Sequence, residues 1–239
     1  MSKPFDATLN ALIDLRASQW ADCFARVAGM PSGPSTPINT NLSSSLQADR
    51  VFRIESKEPY LLHLELESSP RLGIPSELHR YNTLIDHRHD LPVETVLILL
   101  RPKAQASDMT GRYQRFGVTG RSIVEFHYHI ERVWKQPIEY WRGCGIYLDA
   151  AFSLVTEEAE RDLEGNALSL RERVRASGVD ETTANALINS SYFLCGLRYN
   201  WDMVTEIFRR LDMLLEDSST YQHVLEQGER RGESKVRRR

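Results

Sequence analysis

The sequence predicts an α/β fold followed by a helical region, on three observations. Residues 60–102 run strand, helix, buried strand, the succession that builds a parallel crossover unit. The stretch ADRVFRIESKEPYLLHLELES, residues 48–68, alternates apolar and polar side chains on either side of a short connection, as a hairpin does. Beyond Pro137 the apolar spacing becomes mostly helical.

The elements follow in chain order. Phe5, Leu9, Leu12, Ile13, Trp20, Phe24 and Val27 recur at helical spacing, which predicts one or two helices over residues 4–28. MPSGPSTPINTNLSSS is rich in Pro, Ser and Gly and reads as a loop placed to border a site. ADRVFRIE and YLLHLELES are the two strands of the hairpin, joined by SKEP. In the second strand Leu62, Leu64 and Leu66 point one way, and His63, Glu65 and Glu67 the other. IPSELHRYNTLIDHRHD predicts a helix with Pro75 in its first turn, His87 and His89 falling in a turn after it. LPVETVLILLRP predicts a fully buried strand ended by Pro102. RSIVEFHYHIERVW predicts one further alternating strand, with His127 and His129 on a shared face. Four helical stretches follow: residues 156–175, 180–194, 200–215 and 219–232. RRGESKVRRR shows no apolar period and reads as a basic tail.

Hydrophobic residues are 41% and charged residues 26% of the chain, ordinary globular values that exclude disorder along the whole length. A net charge of −3 excludes a protein that coats nucleic acid by bulk charge, but not a local basic groove. Cys23, Cys144 and Cys195 are odd in number and widely spaced, neither a disulfide framework nor a zinc pattern. No signal-peptide core is present, and no run approaches the roughly 18 apolar residues of a membrane span. A cytoplasmic protein, away from the membrane, is the expectation.

Asp49, Glu65 and Glu67 carry the functional argument. An ionised carboxylate within a sheet is costly unless it is paired or bound to a metal. Taken alone, Glu65 and Glu67 are the wet face of an amphipathic strand, His63 an exposed neighbour on it, and Asp49 a strand-start residue. If the three acids converge, they repel one another unless a cation sits among them, and Mg²⁺ favours such oxygen ligands.

Asp49 followed by Glu65-Leu66-Glu67 on the adjoining strand resembles the PD-(D/E)XK nuclease pattern. With LHRYNTLI, VLILLRP and STYQHVLEQGERRG, the chain resembles more specifically the transposase-like, recombination-promoting nucleases of that superfamily. The resemblance implies a restriction-endonuclease-like core, a mixed central sheet flanked by helices, and an all-helical C-terminal region. It implies Mg²⁺-dependent (or Mn²⁺-dependent) endonuclease cleavage of DNA phosphodiesters in recombination. Asp49 and Glu65 match the metal-binding acids. Glu67 stands where the superfamily has Lys and the family often Gln, and it serves as a third ligand or a base. Asn41 stands where relatives carry Glu in Thr-Glu-Leu, and it retains a neutral oxygen. Arg80-Tyr81 matches an Arg-Tyr pair of the family. Arg80 then replaces the lost cation at the phosphate, with Tyr81 beside it on the DNA.

The expected organisation is an N-terminal helical segment (1–30), a nuclease-like core (31–136), a helical region (137–228) and a basic tail (229–239). A homodimer is compatible, since many double-strand cutters act in pairs. Two rival functions stand beside the enzyme: a nuclease-fold protein that binds DNA without cutting, and a helical protein-interaction module.

Overall fold

The computed structural model of the chain describes residues 4–43, 46–47, 49–211 and 213. These residues form two compact units, Ile13–Gln136 and Met1–Leu12 with Pro137–Arg239. The helix expected over residues 219–232 and the basic tail lie outside the described residues.

The N-terminal periodicity resolves into two helices, α1 (Pro4–Leu15) and α2 (Ala17–Val27), broken at Arg16, whose φ of −150° leaves the helical region. Leu9, Leu12, Ile13, Trp20 and Phe24 are all buried, as their spacing requires. The Pro- and Ser-rich stretch is not a plain loop: it contains β1 (Ser35–Pro37) and β2 (Asn41–Ser43), the latter paired with β3 (Leu46–Gln47). Pro37 is tolerated because β1 is the edge strand of its sheet.

The sheet of the first unit has five strands. Its order is β1, β4 (Arg50–Ile54), β5 (Tyr60–Glu67), β6 (Val93–Leu99), β9 (His129–Arg132). β1, β4 and β5 pair antiparallel, whereas β5, β6 and β9 run parallel, so the sheet is mixed. The parallel step from β5 to β6 is made by α3 (Ile74–His89), as the strand–helix–strand pattern predicts. Pro75 sits in the first turn of α3, where its missing N–H costs nothing. His87 and His89 close its last turn rather than following it. Tyr81 and Ile85 of α3 pack with Val51 and Leu61, so this helix covers the odd-numbered face of β5. Every residue of β5 is buried, which corrects the wet-face expectation for His63, Glu65 and Glu67.

The segment expected as one strand over residues 121–134 is two. β8 (Ser122–His127) forms a separate hairpin with β7 (Arg112–Phe116), while β9 joins the main sheet beside β6. Tyr128 divides them: its N–H donates to the Gly111 carbonyl (3.0 Å) and its ring stacks on Phe126. His127 and His129 therefore belong to different sheets, and no shared face remains for a His-x-His metal site.

The second unit is helical, with α4 (Ile138–Gly143), α5 (Ile146–Phe152), α6 (Leu163–Ala176), α7 (Glu181–Cys195) and α8 (Trp201–Arg210). Asp162, Asp180 and Asn200 cap α6, α7 and α8, each side chain accepting a first-turn backbone N–H at 2.8–2.9 Å. Trp141, Phe152, Leu187 and Phe208 are fully buried in this unit's core. No described helix is long and apolar enough to cross a membrane.

Candidate acidic site at the end of strand β5

The antiparallel register of β4 and β5 places the first two acids together. Arg50 lies opposite Leu64, so one residue further Asp49 comes opposite Glu65. Two contacts hold this pair. The Asp49 N–H donates to Glu65 Oε2 (3.4 Å), and the Leu66 N–H donates to Asp49 Oδ2 (2.9 Å). Sequence alternation alone locates Glu65 on a face; the hairpin register brings Asp49 to it.

Their surroundings are hostile to charge. Burial, with the nearby Glu65 charge added, pushes the Asp49 carboxyl up to about 7. Burial pushes Glu65 up to about 8, against the opposing hydrogen bond from Asp49. Two carboxyls that hold their protons near neutrality, side by side, form a site that a cation would stabilise.

His63 is the residue whose role the sequence obscured. It is 0% exposed, with Nε2 3.3 Å from Glu65 Oε2 and Nδ1 3.4 Å from Thr95 Oγ1. Asn82 of α3 donates to Thr95 Oγ1 (3.2 Å) and to the Val93 carbonyl (2.8 Å). A chain of polar groups thus runs from α3 through β6 to Glu65. Burial holds the His63 imidazole down at about 4, so it is neutral and orients Glu65 without adding charge. Tyr81 meets the His63 ring edge-on at 5.8 Å.

Glu67 turns to a different task. Its Oε1 accepts from the Ser68 and Ser69 N–H groups (3.1 and 3.0 Å), shaping the exit from β5. Its Oε2 lies 3.6 Å from Arg71 Nε, and Arg71 also pairs with Glu77 of α3. Arg71 is the guanidinium that reaches these acids, and no sequence period marked it. Burial opposes the Glu77 charge, but hydrogen bonds from Arg71 and Tyr81 hold its carboxyl below the usual range.

Arg80 and Tyr81 separate. Tyr81 is buried and donates to Glu77 Oε1 (2.9 Å), so it braces the site from within. Arg80 is exposed and lines a cavity between α3 and the β7–β8 hairpin. Among the described residues no hydrogen bond or ion pair joins Arg80 to Asp49, Glu65 or Glu67. Asn41 opens β2, and its side chain lies outside those described.

The site occupies the carboxyl end of a parallel strand, where open α/β sheets place their ligands. Compared with protein-family models, with curated proteins and with solved structures, the chain finds no match.

Proposed function

We propose that this chain is a Mg²⁺-dependent DNA endonuclease on a restriction-endonuclease-like core, of the transposase-like, recombination-promoting type. The observation that carries the reading is the Asp49–Glu65 pair: a half-buried carboxyl just before β4 and a buried one within β5, each held by a backbone N–H, with burial raising the pKa of both. The oxygen donor set fits Mg²⁺ or Mn²⁺, with Asp49 and Glu65 as the protein ligands. Glu67 fits less well as a third ligand, because Ser68, Ser69 and Arg71 already use its oxygens.

A bound divalent ion supplies charge stabilisation and an activated water at the scissile phosphate. The chain's own residues do the rest. His63 keeps Glu65 in one orientation, and the Leu66 N–H does the same for Asp49. Arg71, half exposed and 3.6 Å from Glu67, supplies the guanidinium for the phosphate in place of the Lys that the superfamily carries at position 67. The test is nicking of supercoiled plasmid with Mg²⁺ or Mn²⁺. Asp49→Ala and Glu65→Ala are expected to abolish it; equal nicking by these variants overturns the assignment.

A second reading is a nuclease-fold protein that binds DNA without cutting it. It is favoured by one observation: Glu67, where the superfamily has Lys, is a buried carboxylate already engaged by Ser68, Ser69 and Arg71. Salt-sensitive DNA binding with no nicking under any divalent ion selects this reading.

A further inference from the structure

The cavity between α3 and the β7–β8 hairpin has no part in the acidic site. Its volume is about 430 Å³, within the range of ligand pockets. Its lining combines Arg80 and Ser76 from α3 with Tyr113, Arg115 and Val124 from the hairpin, and His79. The two guanidiniums are the telling feature. Several arginines of the chain are ion-paired with a carboxylate, as Arg53, Arg112 and Arg173 are, and others, such as Arg101 and Arg132, bond neutral oxygens. Arg80 and Arg115 are exposed, make no ion pair among the described residues, and face one concavity from two elements. Two unpaired cations converging on a hollow describe a seat for an anion.

The aromatic side fixes the class of anion. Tyr113 is half-buried in the wall and braced by His79, whose ring centroid lies 5.5 Å away. His79 in turn meets Phe126 at 5.6 Å. A braced aromatic ring next to guanidiniums matches the requirements of a nucleotide, a planar base joined to a phosphate.

We propose that this pocket seats one nucleotide of a DNA strand, its phosphate between Arg80 and Arg115 and its base against Tyr113. The proposal rests on the nuclease reading and deepens it, because it gives the substrate strand a point of attachment additional to the acidic site. Arg80 then contributes to DNA binding from the hairpin side of α3 rather than from among the carboxylates.

The experiment measures equilibrium binding of fluorescein-labelled single-stranded and duplex DNA by anisotropy, in EDTA, over a range of salt. Nicking plays no part in it, so its failure and the failure of the endonuclease assignment are separately visible. Arg80→Gln and Arg115→Gln are each expected to weaken binding several-fold and to lower the salt slope by about one. Tyr113→Ala is expected to weaken single-strand binding about tenfold and duplex binding less, because duplex bases are already stacked. Tyr113→Phe, which keeps the ring, retains affinity. The arginines are exposed, so their variants melt as the native chain does. Unchanged affinity and slope in the arginine variants overturns the proposal and leaves the endonuclease assignment standing; no DNA binding by the native chain overturns both. Binding of a free deoxynucleoside monophosphate at these residues without binding of the oligonucleotide also overturns the proposal.

Discussion

Glu65 Oε2 stands between the Asp49 N–H at 3.4 Å and His63 Nε2 at 3.3 Å. One carboxylate is thus fixed from the partner strand and from its own. That fixation predicts where a divalent ion acts on stability. Mg²⁺ at ten times its Kd stabilises the native fold by about 1.4 kcal/mol, a rise of roughly 3–6 °C in Tm for a chain of this size. Glu65→Ala and Asp49→Ala are expected to lose that rise. Thermal melting with and without Mg²⁺ at pH 8 decides it, and an equal rise in both variants removes these residues from the ion site.

The same carboxyls make stability depend on pH in a defined direction. Asp49 and Glu65 are raised from 3.8 and 4.5 to about 7 and about 8, so the folded chain binds protons that the unfolded chain has released. Their contribution is full below the unfolded values and is lost as pH rises through the folded ones. His63 works oppositely: its depressed pKa costs stability as pH falls from 6.5 toward about 4. At pH 6.5 the unfolded imidazole is still half protonated, and only above about 7.5 is His63 neutral in both states, so the carboxyls dominate from there upward. In EDTA, Tm is expected to fall from about pH 7.5 to about pH 8.5, and Glu65→Gln to flatten the fall. A native Tm that is constant or rises over this window contradicts the assignment. Mg²⁺ affinity runs the other way, strengthening over the same interval as the ligands release their protons.

Glu67→Lys restores the superfamily's residue in sequence but not in structure. Glu67 is 2% exposed, and its carboxylate faces Arg71. A Lys there would bury an ammonium beside a guanidinium and leave the Ser68 and Ser69 N–H groups without their acceptor. The expected outcome is a loss of about 3 kcal/mol or more in urea unfolding, with no gain in nicking. Glu67→Gln keeps an acceptor oxygen and is expected to cost less. A Lys variant as stable as the native chain and faster at nicking would show that Arg71 does not replace the missing charge.

How much of this was legible in the sequence depends on what each pattern encodes. Alternation in YLLHLELES separates Leu64 from Glu65, and the crossover pattern places α3 between β5 and β6. Alternation states which side a residue takes, not what covers that side. His63 lies beneath α3, whose Tyr81 meets its ring edge-on, a tertiary contact with no local signal. Likewise FHYH alternates without interruption, yet the chain changes sheets after Tyr128: the Tyr128 N–H still bonds Gly111 beside β7, whereas His129 pairs with Val96 of β6. Arg71 lies in the connection after β5, where no periodicity ties residue 67 to residue 71. The Arg-Tyr pair was visible, but adjacent positions on a helix face different ways, so Arg80 and Tyr81 part company.

In the helical unit one buried ion pair offers a sharp test of packing. Asp149 of α5 is 1% exposed, and Arg173 of α6 grips it with Nε on Oδ2 at 2.7 Å and Nη2 on Oδ1 at 3.1 Å. The fork geometry satisfies both carboxylate oxygens at once. Arg173→Met keeps much of the side-chain volume but strands a carboxylate among apolar neighbours. The expected cost is about 3–5 kcal/mol, as for other buried pairs broken on one side. Asp149→Asn in the Arg173→Met background removes the stranded charge and is expected to recover part of the loss, since both members of the pair are then neutral. Urea unfolding of the two single variants and the double variant measures the coupling directly. Strictly additive losses would mean that the two side chains stabilise α5 and α6 independently, and that their short contact adds nothing.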